Sequence, residues 1–158
     1  DDRHENRSRI NTCLDEELSR SKRYKHSFCL LFMDIDHFKK INDTHGHLFG
    51  DYVLKKLGEI MNTVLRSTNR LFRYGGEEFV ILLPETDRLD AIQTTDRLMQ
   101  TIRNHIFEYD GQSTKITASI GVAIFPDHTI HKKELIKLAD KALYEAKDKG
   151  RDIVVFSD

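Results

Sequence analysis

An unbroken apolar run, Phe28-Cys29-Leu30-Leu31-Phe32-Met33, stops abruptly at Asp34-Ile35-Asp36. A run of strand length without polar alternation fits a strand covered on both faces, as at the centre of a sheet flanked by helices. Side chains alternate across a strand, so Asp34 and Asp36 project to one side and Ile35 to the other if the extended geometry lasts that far. Paired carboxylates at a strand end are a common way to hold magnesium. Behind them lie His37-Phe38-Lys39-Lys40-Ile41-Asn42-Asp43 and Gly46-His47-Leu48-Phe49-Gly50-Asp51, rich in polar groups and turn formers. A loop running into a helix there offers free backbone N–H groups to an anion.

A second acidic pair follows another strand boundary. Arg73-Tyr74-Gly75-Gly76-Glu77-Glu78 leads into Phe79-Val80-Ile81-Leu82-Leu83. Two glycines between strand-like runs signal a tight turn, since both tolerate positive φ. Glu77 and Glu78 are therefore expected at a hairpin tip. Two residues without side chains let a ligand approach the backbone closely, and adjacent acids can hold a hard cation or handle a proton. Taken alone, the residues suit an ordinary acidic hairpin equally well.

The remaining pattern alternates helices with strands. Ile10, Leu14 and Leu18 mark an amphipathic helix from Ser8 to about Tyr24, and Tyr52, Val53, Leu57, Ile60, Met61, Val64 and Leu65 mark the next. Further helices are expected over about Asp87–His105 and Lys132–Lys147, with strands over about Lys115–Phe125 and Ile153–Phe156. This order predicts an α/β sandwich with helices on both faces of a mixed sheet. The length, 158 residues, suits a single domain. A net charge of −1 with 32% charged residues argues against a sequence-independent nucleic-acid binder, so any phosphate site must be local. Cys13 and Cys29, without zinc-type spacing, suit reduced thiols in a cytoplasm. No apolar run approaches the length of a membrane span.

Six segments together resemble a known family. They are Asp34-Ile35-Asp36-x-Phe38-Lys39-x-Ile41-Asn42-Asp43, Gly46-His47-x-x-Gly50-Asp51, Arg73 to Phe79, Ser119-Ile120-Gly121-Val122, Ala139-Asp140-x-Ala142-Leu143-Tyr144-x-Ala146-Lys147, and Gly150-Arg151. Their order is similar to that of the GGDEF domains, the diguanylate cyclases, from about Asn6 to Val155. The resemblance implies a ferredoxin-like βαββαβ core with additions, similar to nucleotide cyclase catalytic domains. It implies a single catalytic module, residues 1–158, cut from a longer bacterial protein with an N-terminal sensory or receiver region. Such a module would work in the cytoplasm, free or as the cytoplasmic part of a membrane-anchored sensor, without membrane contact of its own.

The activity so implied joins two GTP molecules into cyclic di-GMP with loss of two pyrophosphates. By resemblance, Asp34, the Ile35 carbonyl and Glu77 hold Mg2+ or Mn2+, two ions per site; Glu78 adds a ligand or serves as the base. Lys39, Lys147 and Arg151 are placed at the phosphates, with backbone N–H groups around Phe38 and Lys39 and the open backbone at Gly75 and Gly76. Asn42 and Asp51 occupy the base-reading positions, and acceptors facing guanine's N–H donors favour GTP over ATP. Asp43 reads as a cap or turn acid. One GTP cannot react with itself, so a two-fold homodimer is required.

Two departures stand out. Where the family carries Arg-x-x-Asp for product inhibition, this chain has Arg66-Ser67-Thr68-Asn69, with Arg97 in the place of a secondary arginine; loss of the carboxylate predicts weakened feedback by cyclic di-GMP. At the start, Asp1-Asp2-Arg3-His4 replaces a Leu-Thr-x-Leu-like turn ahead of Asn6-Arg7. His37, His45 and His47 are weak evidence for zinc, and His47 reads as a structural hydrogen-bonder. A catalytically silent regulator binding GTP or cyclic di-GMP is the alternative function. A different nucleotide cyclase or polymerase-like enzyme on the same core is disfavoured by the base-reading pair.

Overall fold

A computed structural model describes residues 2–158, with side chains from residue 6 onward. Its elements are α1 (Asp2–Tyr24), β1 (Phe28–Ile35), α2 (Phe38–His45), α3 (His47–Val64), β2 (Arg70–Arg73), β3 (Glu78–Leu83), α4 (Arg88–Asn104), β4 (Phe107–Tyr109), β5 (Gln112–Thr114), β6 (Ala118–Phe125), α5 (Lys132–Asp148) and β7 (Val154–Phe156). The main sheet runs β2-β3-β1-β6-β7, antiparallel except for the parallel β6–β7 edge. Strands β2, β3, β1 and β6 with α3 and α4 make the expected βαββαβ core. Helices α1 and α5, the β4–β5 hairpin and β7 are the additions.

The apolar run at 28–33 is the sheet's central strand, hydrogen-bonded to β3 on one side and β6 on the other. Its odd residues Cys29, Leu31, Met33 and Ile35 join the core formed with α3 and α4, including Leu57, Met61, Leu98 and Ile102. Its even residues Phe28 and Leu30 join a second core with α1 and α5, including Leu14, Leu18, Leu135 and Ala139. Two-sided burial explains the missing alternation. At Gly121 of β6, helix α5 comes so close that an added Cβ would lie 2.2 Å from the Leu143 nitrogen and 2.4 Å from the Ala139 carbonyl oxygen. Only glycine allows that approach, and it brings the end of α5 over the end of β1.

Several boundaries differ from expectation. Helix α1 begins at Asp2 rather than Ser8; the side chains at positions 1–5, where the atypical opening falls, lie outside the described residues. A short helix, α2, replaces the expected polar loop; His37 precedes it in the left-handed region at φ 56° and supplies no side-chain cap. Strand β6 starts at Ala118 rather than Lys115 because Ile116 and Thr117 already turn in toward β1, where the Thr117 carbonyl accepts from Asp36 N–H at 2.9 Å. Helix α4 is capped as its sequence suggests, the Asp87 side chain accepting from Asp90 N–H at 2.9 Å. Cys13 and Cys29 are free thiols; burial pushes the Cys29 thiol up, out of reach of ordinary ionisation. Among the described residues no helix is long and apolar enough to cross a membrane.

Candidate active site

The sheet register brings the two acidic segments together. Asp34 stands directly opposite Glu78 across the β1–β3 ladder, and Ile35 N–H donates to the Glu77 carbonyl at 3.3 Å. Asp34 is 5% exposed. Its Oδ2 accepts from Lys147 Nζ of α5, while its Oδ1 is buried without a hydrogen-bond partner. Glu77, half-buried at the hairpin tip, is pushed above its ordinary carboxylate range by burial first and then by the nearby Asp34 carboxylate; the Lys147 ammonium pulls it partly back and Glu78 pushes it up. Asp34, Glu77, Glu78 and Lys147 therefore form one electrostatic unit.

The two acids at the end of β1 differ in their surroundings. Both lie toward α5, as alternation requires, but Asp36 is satisfied within the fold. Its oxygens accept from Ser119 Oγ at 2.7 Å, Thr117 Oγ1 at 2.7 Å and Asp152 N–H at 2.9 Å. Arg103 of α4 in turn donates to the Asp152 side chain at 2.8 Å and to its carbonyl at 2.9 Å. This network ties the end of β1 to the turn Gly150-Arg151-Asp152, all three at positive φ, and so fixes where Arg151 leaves the backbone. Sequence reading missed it, because Thr117, Arg103 and Asp152 carry no local sign of meeting Asp36.

The glycine pair does not work as expected. Neither Gly75 nor Gly76 is among the positive-φ residues; the loop closes instead through Tyr74 N–H to the Glu78 carbonyl at 2.8 Å and Arg73 to the Gly76 carbonyl at 3.1 Å. Their value is space. A Cβ on Gly75 would press to 3.2 Å from Glu78 Oε2, while Gly76 faces open volume. Helix α1 anchors the tip: Asn6 Nδ2 donates to the Arg73 carbonyl at 2.7 Å, and the Arg7 guanidinium lies 4.9 Å from the Tyr74 ring centroid. Beside Glu78 and Lys147 a cleft of about 440 Å3 opens between α1, α5 and the sheet.

Asn42 of α2 packs on the backbone of α3. A Cβ at Gly50 would lie 1.8 Å from Asn42 Oδ1, so the side chain fills space that only glycine leaves, and that oxygen is buried without a partner. Asp51 is exposed one residue further along α3, and Phe38 and Lys39 stand at the uncapped start of α2, Phe38 buried and Lys39 exposed. Lys147 lies in the last turn of α5, and the exposed Arg151 follows in the turn after it.

The remaining candidates lie elsewhere. Asn69 accepts from Arg66 N–H through Oδ1 at 2.9 Å, so its amide oxygen closes the α3–β2 turn; Arg66 and Arg97 are both exposed. The histidines do not assemble: His37 and His47 are exposed, and His45, rather than His47, makes a polar contact, to Gln112. Among the described residues no three His, Cys, Asp or Glu side chains stand together as a metal cage. A magnesium ion does not require one, because it keeps waters and substrate phosphates in most of its positions. The donor set fits such an ion: a buried, orphaned carboxylate oxygen on Asp34 beside a second acid whose charge Asp34 disfavours.

The family described as diguanylate cyclase, GGDEF domain, matches residues 4–153. The chain is 38% identical over 133 residues to diguanylate cyclase A of Treponema denticola, covering 84% of this chain and 36% of that protein. It is 35% identical over 150 residues to the diguanylate cyclase DosC of Escherichia coli K12, covering 94% and 32% respectively. It thus spans about a third of the length of these relatives. Among solved structures, the GGDEF domain of YfiN from Pseudomonas aeruginosa superposes with a TM-score of 0.92 at 31% identity, over 96% of this chain and 95% of that one. The diguanylate cyclase SiaD of the same organism, solved with its activator SiaC, gives 0.90 at 36% identity over 96% and 58%. The chain belongs to the GGDEF domain family of diguanylate cyclases.

Proposed function

We propose that this domain condenses two GTP molecules into cyclic di-GMP, each 3′-oxygen bonding to the α-phosphorus of the other nucleotide as the bond to pyrophosphate breaks. The observation that carries the reading is the unpartnered, buried Oδ1 of Asp34 next to a Glu77 whose ionisation Asp34 opposes. A buried acceptor without a donor is costly in a folded protein, by about 1 to 3 kcal/mol, which a bound cation would relieve. Asp34, Glu77 and the Ile35 carbonyl would hold Mg2+ or Mn2+, two ions per site, with Glu78 as a further ligand or as the base. When bound, the metal neutralises the triphosphate and lowers the pKa of a coordinated hydroxyl.

The other roles belong to the chain's own residues. The free N–H groups at the start of α2, with Lys39, Lys147 and Arg151, bind and orient the triphosphate. Lys147 donates to Asp34; nucleotide phosphate would give Lys147, and a bound cation would give Asp34, a new partner. Asn42 and Asp51 read the guanine edge. Glu77 or Glu78 takes the proton from the attacking hydroxyl. Each domain holds one GTP, so two copies meet about a two-fold axis, under control of a preceding regulatory region. The exposed Arg66 and the turn-bound Asn69, with Arg97, leave product inhibition weak.

The test is chromatographic detection of cyclic di-GMP from GTP and Mg2+ with the domain held as a dimer by a fused coiled coil. Glu77→Gln should abolish product formation while the circular dichroism spectrum is retained. Full turnover by that variant would remove Glu77 from the reaction. GTP binding without product from the parent would favour the silent regulator.

A further inference from the structure

The β4–β5 hairpin has no role in the chemistry above. Its strands are three residues each, joined by Asp110 and Gly111 at φ 51° and 77°, and a ribbon that short is not stable by itself. Phe107 roots the ribbon in the core shared with α3 and α4, where it is fully buried, and two further contacts hold its outer part against the α2–α3 end. His45 Nδ1 lies 2.7 Å from Gln112 Oε1, while Gln112 Nε2 faces the His45 carbonyl at 3.4 Å, which leaves Oε1 to accept from Nδ1–H. Tyr109 stacks on Tyr52 with centroids 5.2 Å apart and planes 20° from parallel. Tyr52 meets Phe49 edge-on at 6.3 Å, and Phe49 stacks on His45 at 4.5 Å. Four rings, His45, Phe49, Tyr52 and Tyr109, thus run continuously from the end of α2 along α3 to the hairpin.

That column passes the two residues assigned to the base. Asn42 sits one turn before His45 on α2; Asp51 lies between Phe49 and Tyr52 on α3. Gly46, at φ 93°, is the joint between the helices. Helix α2 is eight residues long and has no side-chain cap at its start, so its own stability is marginal. Nor does a hydrogen bond fix the Asn42 oxygen, whose position depends on how closely α2 approaches Gly50. The one polar link from the end of α2 to a third element is His45 to Gln112 among the described side-chain hydrogen bonds.

We infer that the β4–β5 hairpin is a clamp: through Gln112 on His45 and Tyr109 on Tyr52 it sets the approach of α2 to α3, and with it the nucleobase selectivity of Asn42 and Asp51. Gln112 and Tyr109 are positioning residues that touch no substrate. The inference rests on the base-reading roles proposed above, but its structural half does not. Gln112 and Tyr109 are both exposed, so their truncation leaves the cores intact.

The experiment compares the parent with Gln112→Ala, Tyr109→Ala and Tyr109→Phe in two measurements. In the ligand-free protein, amide hydrogen exchange of α2 should quicken about fivefold to tenfold in both alanine variants and stay near the parent rate in Tyr109→Phe, which keeps the stack. Unchanged exchange across α2 overturns the clamp whether or not GTP is the ligand. In the second, the ratio of ATP to GTP dissociation constants should fall about fivefold or more in the alanine variants, from weaker GTP binding, with kcat at saturating GTP unchanged. Equal losses for both nucleotides, or a changed melting temperature with an unchanged ratio, overturn the selectivity role. A parent that binds neither nucleotide refutes the base-reading assignment and the selectivity role with it, and the exchange measurement still decides the clamp.

Discussion

Gly50→Ala tests the proposed base-reading role of Asn42 separately from the stability of the fold. The added methyl would lie 1.8 Å from Asn42 Oδ1, 2.9 Å from its Cγ and 3.2 Å from Phe38 Cζ. Ordinary contact requires Oδ1 to retreat by roughly 1 Å or more, and because the atoms in the way are the end of a rotatable side chain, it can do so by swinging out of its slot. The fold loses little. Alanine is better than glycine in a helix by about 1 kcal/mol, which offsets the repacking, so the melting temperature should move by no more than about 4 °C in either direction. Guanine recognition, however, loses an acceptor and a donor together. At about 0.5 to 1.5 kcal/mol for each hydrogen bond, GTP affinity should fall roughly fivefold to a hundredfold while ATP affinity is unchanged. Calorimetric titration with each nucleotide reads both values. GTP affinity within about twofold of the parent, in a variant whose Asn42 side-chain amide resonances have shifted, would show that Asn42 does not read the base.

Gly121→Ala should behave oppositely, because the atoms its methyl meets, Leu143 N at 2.2 Å and Ala139 O at 2.4 Å, belong to backbone and cannot rotate away. A loss of about 2 kcal/mol or more is expected, lowering the melting temperature by about 5 °C or more in a thermal denaturation scan. Asn69→Asp returns a carboxylate to the α3–β2 turn, and turnover measured against added cyclic di-GMP should become inhibited at product levels that leave the parent active. Glu77 gives a pH dependence of known sign. Its carboxyl is raised in the folded state above the ordinary 4.5, so the folded domain binds the proton more tightly than the unfolded chain, and stability falls as pH rises from 4.5 through the folded value. In metal-free buffer, urea midpoints of the parent should decline over that window relative to Glu77→Gln, and parallel midpoints would contradict the shift.

How far the sequence discloses this molecule depends on whether the relevant partners are local. The central strand was legible because two-sided burial removes alternation from Phe28 to Met33 itself. The convergence of Asp34 with Glu78 follows from antiparallel strand register, which one apolar run ending in acids and another beginning after them are suited to. Helix α2 was not legible, since only Phe38 and Ile41 mark its inner side and no cap announces its start. The β4–β5 hairpin left one usable sign, Asp110-Gly111, the dipeptide suited to a two-residue turn with positive φ at both positions. Least legible was the difference between Asp34 and Asp36. They share a residue type, a strand end and a direction, yet one is saturated by Ser119, Thr117 and Asp152 while the other keeps a bare oxygen beside Glu77. What separates the satisfied carboxylate from the unsatisfied one here is therefore the set of donors that distant segments bring to it. Asp36 orders the turn carrying Arg151, whereas Asp34 keeps a buried oxygen without a donor, the acceptor on which the proposed cation would sit.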